Sequence, residues 1–275
     1  MDAMERLQKG RRDAGARVQG KDMAILLPAI LLLAGCPRMP VDLAPLTLAV
    51  DCPDIAETVN VARNSPPRIL QCVLARVRDQ TDPDAASLAL GLRAAFFLAD
   101  QSEGELARRF ASEGVRLGEE AVRKGADGAV HYYLAMCLGV VVQDTVVLAL
   151  RNLPRIEAEL KLAMQLAPGE EQGGPARVLG MLYLKAPAWP QGIGDPDRAL
   201  ELLSEAATTW PDHPANRIFY AHALWEVSGE DARDEIRRQL SKAIEAIEAH
   251  AFGYAGPKWR SDAEALARQV GVQVP

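Results

Sequence analysis

Histidine and cysteine are the side chains of this sequence best suited to chemistry, and neither type forms a recognisable reactive set. The four histidines stand far apart, at positions 131, 213, 222 and 250. The chain has no His-Glu-x-x-His, Cys-x-x-Cys or Gly-x-Ser-x-Gly motif, and no glycine-rich phosphate loop ending in Lys-Ser or Lys-Thr. We therefore expect no catalytic residue, no metal site and no cofactor. His213 and His222 are expected at the surface or as helix caps.

Cys36 differs from the other cysteines because of the segment that precedes it. Residues 23–35 form an uncharged apolar run after a net-positive stretch, which is the layout of a signal peptide. The run is short for a membrane span, and Pro28 interrupts it. Its end, Leu33-Ala34-Gly35-Cys36, resembles a bacterial lipobox. The sequence predicts a lipoprotein signal peptide at 1–35 and lipidation of Cys36, whose acyl chains would anchor the protein in a membrane.

The segment after Cys36 is expected to be a tether. Residues 36–53 are proline-rich and show no clear period. The predicted lipid places the protein in the cell envelope, facing the periplasm, and Pro37 in place of an aspartate favours the outer membrane. A start at Met23 instead of Met1 is an alternative, although it would remove the positive stretch.

The three remaining cysteines have separate predictions, because export places them in an oxidising compartment. Cys52 and Cys72 are 20 positions apart and could form a disulfide that pins the tether to the first helical pair. Their separation in space cannot be deduced from the sequence. Cys137 falls on an apolar helical stripe and is expected to be a small buried side chain.

The composition favours helix and argues against nucleic acid as a partner. Alanine and leucine dominate, and aromatic residues make up only 5% of the chain. The formal net charge is −6, and no basic face of the kind that binds phosphates is evident. An all-α class is the first expectation.

Residues 54–275 are predicted to fold as paired helices. Apolar residues recur there at three- and four-residue spacing, in segments separated by short turns. Asp82-Pro83 is expected to begin one helix, and the next carries Leu106 and Phe110 on its apolar face. A helix with one apolar side cannot bury that side alone. The pattern indicates an all-α, TPR-like (tetratricopeptide-type) solenoid of antiparallel helix pairs.

One stretch, 174–214, matches the tetratricopeptide repeat consensus. Its small residues would let two helices approach closely, while its leucines and tyrosine fill the space between them. The matching positions are Leu179, Gly180, Tyr183, Ala199, Leu203, Ala206 and Pro211. An irregular Pro/Gly-rich insertion separates Tyr183 from Ala199, and Asp195-Pro196 should cap the helix that follows it.

The stretch from Gly173 to Trp189-Pro190, continuing through Gly194-Asp195, resembles the T-component lipoproteins of TRAP-type (tripartite ATP-independent periplasmic) transport systems. His131-Tyr132-Tyr133 and the lipobox support the resemblance. It implies a periplasmic helical protein, oligomeric, with a hydrophobic pocket or channel, that partners a periplasmic substrate-binding subunit. The ligand would be a small hydrophobic molecule or an organic acid. The alternative is an envelope scaffold that binds proteins or peptides through its TPR-like surface.

Four residues are candidates for contact with a ligand or partner, namely Tyr132, Arg177, Lys185 and Trp189. Each also has a structural interpretation. Trp189 is expected to fold its loop onto neighbouring helices, and Arg177 to hydrogen-bond loop carbonyls.

Overall fold

The computed structural model describes residues 46, 48, 51–52 and 60–275. The predicted signal peptide at 1–35, Cys36 and most of the tether at 36–53 lie outside the described residues. Among the helices that the structure describes, none is long and apolar enough to cross a membrane.

The described part of the chain is all-α, as predicted. Each helix packs mainly against the next one along the chain, so that sequential helices form antiparallel pairs consistent with a helical repeat. Residues 60–275 contain no strand, only a single β-bridge between Ala188 and Gly194. The helices are α1 (Pro67–Asp79), α2 (Ala85–Asp100), α3 (Gly104–Arg123), α4 (Ala129–Val142), α5 (Val146–Leu166), α6 (Gly174–Lys185), α7 (Pro196–Thr209), α8 (Pro214–Ser228), α9 (Arg233–Ala249) and α10 (Ala255–Val270).

The start of α2 corrects one prediction. The N-cap is Asp84, whose carboxylate accepts a hydrogen bond from the backbone N–H of Ser87 at 2.7 Å. Asp82, which was expected near the start of this helix, instead pairs with Lys124 at the end of α3. An N-cap carboxylate must lie immediately before the first helical residue to reach its free N–H groups, and Asp82 is too early in the chain.

The predicted apolar face of α3 is buried except at its first residue. Phe110 is buried, whereas Leu106 is 50% exposed. The buried face runs through Ala107, Ala111 and Gly118, and Leu106 lies one residue, or about 100°, away from Ala107. Cys137 of α4 packs against this face. Its sulfur lies so close to Gly114 of α3 that a Cβ added there would be 2.5 Å away.

The repeat match at 174–214 corresponds to the pair α6 and α7. The two helices approach closely at Gly180, where an added Cβ would lie 2.7 Å from Cγ of Leu203. Pro211 is exposed in the turn between α7 and α8. The other matching residues, Leu179, Tyr183, Ala199, Leu203 and Ala206, are all buried.

The insertion between α6 and α7 is held by backbone hydrogen bonds. The N–H of Gly194 donates to the carbonyl of Pro187 at 2.8 Å, and that of Asp195 donates to Tyr183 at 3.0 Å. The Asp195 carboxylate then caps α7 by accepting from the N–H of Arg198 at 3.0 Å, as the sequence predicted. The irregular segment is therefore fixed at both ends.

Cys52 and Cys72 form a disulfide, with their Cα atoms 5.5 Å apart. Cys72 is buried in α1, so the bridge ties residue 52 to the first helix. Closing a loop of 20 residues contributes about 3 kcal/mol to the free energy of unfolding in the chain-entropy model. Cys137 is a free, buried cysteine, and burial raises the pKa of its thiol.

Gly180→Ala and Gly139→Ala should change the free energy of unfolding in opposite directions, because only Gly180 lies where two helices approach closely. Gly180→Ala should lower the free energy of unfolding by about 1–3 kcal/mol, because the methyl group overpacks against Leu203. Gly139→Ala, in the interior of α4, has nothing within 4 Å of the new Cβ and should raise it by about 0.5–1 kcal/mol. Urea denaturation of both variants measures the two changes, and a Gly180→Ala protein as stable as Gly139→Ala would contradict this packing.

Candidate functional site

Two arginines lie where distant parts of the chain meet. Arg63 precedes α1, and Arg177 lies in the first turn of α6. Around them are the end of α2, the loop between α5 and α6, the start of α8, and the connection between α9 and α10. We call this group the arginine cluster; it consists of Arg63, Phe96, Phe97, Asp100, Tyr132, Glu171, Arg177, His213, Asn216, Tyr254 and Trp259.

Arg63 binds two carboxylates and a phenol. Its Nε and Nη2 donate to the same Glu171 oxygen at 2.9 and 2.8 Å. Its Nη1 donates to Asp100 at 2.7 Å and to the Tyr254 hydroxyl at 3.3 Å. The Tyr254 hydroxyl in turn donates to Asp100. One side chain thus links residues that are 37, 108 and 191 positions away in the sequence.

Aromatic rings enclose the same guanidinium. Its central carbon lies 5.4 Å from the ring centroid of Phe97, 5.6 Å from that of Trp259, and 6.0 Å from those of Phe96 and Tyr254. At these distances the ring faces attract a cation. We call the carboxylates of Asp100 and Glu171, the Tyr254 hydroxyl and these rings the Arg63 cage.

The cage keeps Arg63 charged. Burial by itself lowers the pKa of Arg63, but Glu171, Tyr254 and Asp100 together raise it above the ordinary value. Burial also raises the pKa of Tyr254, and the neighbouring Asp100 carboxylate raises it further. Tyr254 therefore remains a neutral hydrogen-bond donor toward Asp100.

Arg177 organises the loop between α5 and α6. It donates to the side-chain oxygen of Asn216 at 2.6 Å and to the backbone carbonyls of Glu171 and Gln172 at 3.3–3.4 Å. Asn216 donates to the carbonyls of Gln172 and Trp210, at 3.0 Å each. Both side chains are buried, and these hydrogen bonds supply partners for their polar groups.

The loop itself has a left-handed backbone. Glu171 and Gln172 have φ angles of 47° and 51°, which are uncommon for residues other than glycine. Gly173 follows with φ 84°, and a Cβ there would lie 2.3 Å from the ring of Trp210. A Cβ at Gly174 would lie 2.8 Å from the Tyr132 ring. The Gly-Gly pair is thus required by backbone conformation and by close packing.

His213 occupies the N-cap position of α8, one of the two places expected from the sequence, but it is buried rather than at the surface. It precedes α8 and is 4% exposed, and its side chain makes no capping hydrogen bond. Its ring lies 4.9 Å from that of Trp259, and among the described residues its Nδ1 has no hydrogen-bond partner. Burial, with the nearby charges of Arg177 and Arg63, lowers the pKa of His213 to about 2.

The four candidate contact residues fall in two places. Tyr132 and Arg177 lie together in the arginine cluster and are only 1% and 3% exposed, so they contact the protein itself. Lys185 and Trp189 lie at the other end of α6. Lys185 is exposed and forms an ion pair with Glu226 at 2.6 Å. Trp189 is 84% exposed, so its ring does not fold the loop onto neighbouring helices; backbone hydrogen bonds hold that loop instead.

The remaining residues of the His131-Tyr132-Tyr133 run have structural partners. His131 contacts Glu159 at 2.6 Å, and the Tyr133 hydroxyl donates to Glu170 at 2.6 Å. Arg93 lies over the Tyr133 ring at 4.9 Å. Three or more residues of the types that bind metals do not come together anywhere in 60–275.

Sequence reasoning did not identify Arg63, Asp100, Glu171, Tyr254 or Trp259. No motif contains them, and they come from four separate parts of the chain. The available signals were weak: a lone arginine before Asn64-Ser65-Pro66-Pro67, an acidic residue at the end of α2 and another in the loop before α6.

Comparison with known proteins does not extend the assignment. No protein-family model matches the chain, and no curated protein is significantly similar to it. The structure by itself identifies an all-helical protein of antiparallel helix pairs, consistent with a helical repeat.

The burial of His213 predicts a loss of stability on mild acidification. Its folded pKa of about 2 lies below the ordinary value of 6.5, so below pH 6.5 the unfolded chain binds a proton that the folded protein does not. The free energy of unfolding should therefore fall by up to about 1.4 kcal/mol per pH unit from this residue.

Denaturant titrations between about pH 7 and pH 5 measure this slope. His213→Gln should remove the contribution even if the variant is less stable at every pH. His250→Gln, at an exposed position, is the matched control and should retain it. His222 also has a lowered pKa, caused mainly by burial, so the wild-type slope contains its contribution as well. Identical slopes for wild type and His213→Gln would refute the assignment.

Proposed function

We propose that this chain is a lipid-anchored, non-catalytic accessory subunit of a TRAP-type transport system. It faces the periplasm, and its partner is a periplasmic substrate-binding subunit that handles a small hydrophobic or organic-acid ligand. The proposal combines the sequence resemblance at 173–195 with one structural observation, which is the exposure of Trp189.

Trp189 is the observation that carries the proposal. It lies within the stretch that resembles the transport lipoproteins, and it is 84% exposed. The backbone of the loop is held at both ends, so the ring is presented from a fixed position. Tryptophan is the residue type most enriched among those that dominate binding energy at protein interfaces. A rigidly presented, unpacked tryptophan favours a protein partner at this end of α6.

The disulfide supports an exported location. Disulfide bonds persist in oxidising compartments and are rare in the cytosol. The bond between Cys52 and Cys72 is therefore consistent with the lipobox at Cys36, which predicts attachment in the cell envelope. It would also keep the base of the tether fixed to α1 when the lipid is in the membrane.

A second candidate function is that of an envelope scaffold. The observation that favours it is an exposed apolar group at the start of α5. This group consists of Val146, Val147, Leu148 and Leu150, all of which are exposed large hydrophobic residues. Contiguous apolar surface of this kind is typical of interaction sites. A scaffold would dock proteins or peptides there, without a transport subunit.

Photo-crosslinking in cells separates the two functions. A benzoylphenylalanine in place of Trp189 should capture a periplasmic substrate-binding subunit. The same group in place of Arg237, an exposed residue of α9, should capture much less. Trp189→Ala should weaken recovery of the partner by roughly thirtyfold, the equivalent of about 2 kcal/mol for an interface tryptophan. Capture of assembly or secretion factors by the same group in place of Val147, within the exposed apolar group of α5, would support the scaffold. Equal labelling at 147, 189 and 237 would argue against both functions.

The anchor has its own test. The wild-type protein should incorporate radiolabelled palmitate and sediment with membranes, because two or more acyl chains bind a bilayer stably. Cys36→Ser should abolish the label and keep the amino-terminal segment uncleaved, whereas Cys137→Ser should leave both processing and labelling unchanged. A wild-type protein that retains residues 1–35 and carries no lipid would contradict the prediction.

A further inference from the structure

Arg63 is held in the way that a binding site holds a guanidinium ligand. Four aromatic rings lie within 6.0 Å of the group, and its nitrogens donate to two carboxylates. Its side chain is 15% exposed. The flat donor fork and the ring contacts suit a guanidinium better than a lysine ammonium, which is a compact point charge.

The walls of the Arg63 cage are held in place by contacts that do not involve Arg63. The backbone of Glu171 is fixed by Arg177, which donates to its carbonyl. The Trp259 ring packs against His213 at 4.9 Å and against Phe252 at 5.4 Å between centroids. A site whose walls are fixed in advance loses little freedom when a ligand enters.

The segment that supplies Arg63 is short and mostly at the surface. Asn60, Asn64 and Pro66 are exposed, while Val61 and Arg63 point inward. A turn closed by hydrogen bonds between Ala62 and Ser65 shapes the segment. Residues 60–65 precede α1 and belong to none of the helices α1 to α10, and we call them the strap. Arg63 is the side chain by which the strap binds Asp100 and Glu171.

We propose that the Arg63 cage is a recognition site for an arginine side chain, and that the chain fills this site with its own residue. Residues 60–65 then act as a tethered competitor, which the arginine of an exposed segment in a partner protein must displace. Release of the strap would free residues 60–65 within the loop that the Cys52–Cys72 disulfide closes. The proposal does not depend on the transport assignment, and its test uses the purified protein with a small probe.

Binding of a small probe tests the proposal. N-acetyl-arginine amide is titrated calorimetrically into wild type, Arg63→Lys and Arg63→Ala, with N-acetyl-citrulline amide as the neutral isostere. Arg63→Ala should bind the arginine probe at least about tenfold more tightly than wild type, because a short tether holds Arg63 at an effective concentration of millimolar or above. Arg63→Lys should fall between them, and the citrulline probe should not bind.

Two further variants sharpen the result. Adding Glu171→Gln to Arg63→Ala should weaken binding of the arginine probe, because it removes the carboxylate that accepts two of the Arg63 hydrogen bonds. Arg68→Ala is the matched control and should behave as wild type, because Arg68 is exposed and donates to the backbone carbonyl of Asp51 at 2.8 Å, outside the Arg63 cage.

The proposal is overturned if folded Arg63→Ala binds the arginine and citrulline probes equally, or if it binds arginine no more tightly than wild type does. If Arg63→Ala fails to fold, Arg63→Lys decides. This variant keeps a cation in the cage, but lysine is a weaker competitor than arginine. An affinity for the arginine probe above that of wild type supports the proposal, and an affinity equal to that of wild type overturns it.

Discussion

A guanidinium that leaves water must find partners for its charge and for its hydrogen-bond donors. In this protein the partners of one guanidinium come from parts of the chain that helix stacking does not bring together. Arg63 precedes the first helix, yet it binds the end of α2, the loop before α6 and the connection before α10. Burying the ion without Asp100 and Glu171 would cost several kcal/mol. The early, middle and late parts of the described chain therefore meet at one side chain.

In the structure, most of the residues that stood out in the sequence have structural roles. Tyr132 and Arg177 were predicted to contact a ligand or partner. In the structure they lie in the arginine cluster, and their partners belong to the chain itself. The glycines of the Gly173-Gly174 pair are required by a left-handed backbone and by close packing. The residues that carry the family resemblance therefore largely build the fold. Trp189 is the exception, because its side chain is 84% exposed.

The parts of the structure that could be predicted from the sequence are those set by local patterns. The α6–α7 pair follows from apolar spacing and small residues, and the Asp195 cap follows from Asp-Pro before a helix. Leu106 and Asp82 were misplaced by one or two residues, since periodicity locates a helical face better than its edges. The Arg63 cage could not be predicted, because its contacts span up to 191 residues and no local pattern encodes them. Burial of His213 likewise depends on Trp259 in the last helix.

The central claim is that Arg63 and Glu171 are energetically coupled across the fold. A double-mutant cycle measures that coupling from the free energies of unfolding of wild type, Arg63→Ala, Glu171→Ala and the double variant. We expect a coupling of at least about 1.5 kcal/mol, because both side chains are largely buried and hydrogen-bonded. A coupling below about 0.5 kcal/mol would mean that the two effects simply add, and that the arginine cluster does not hold the helical array together.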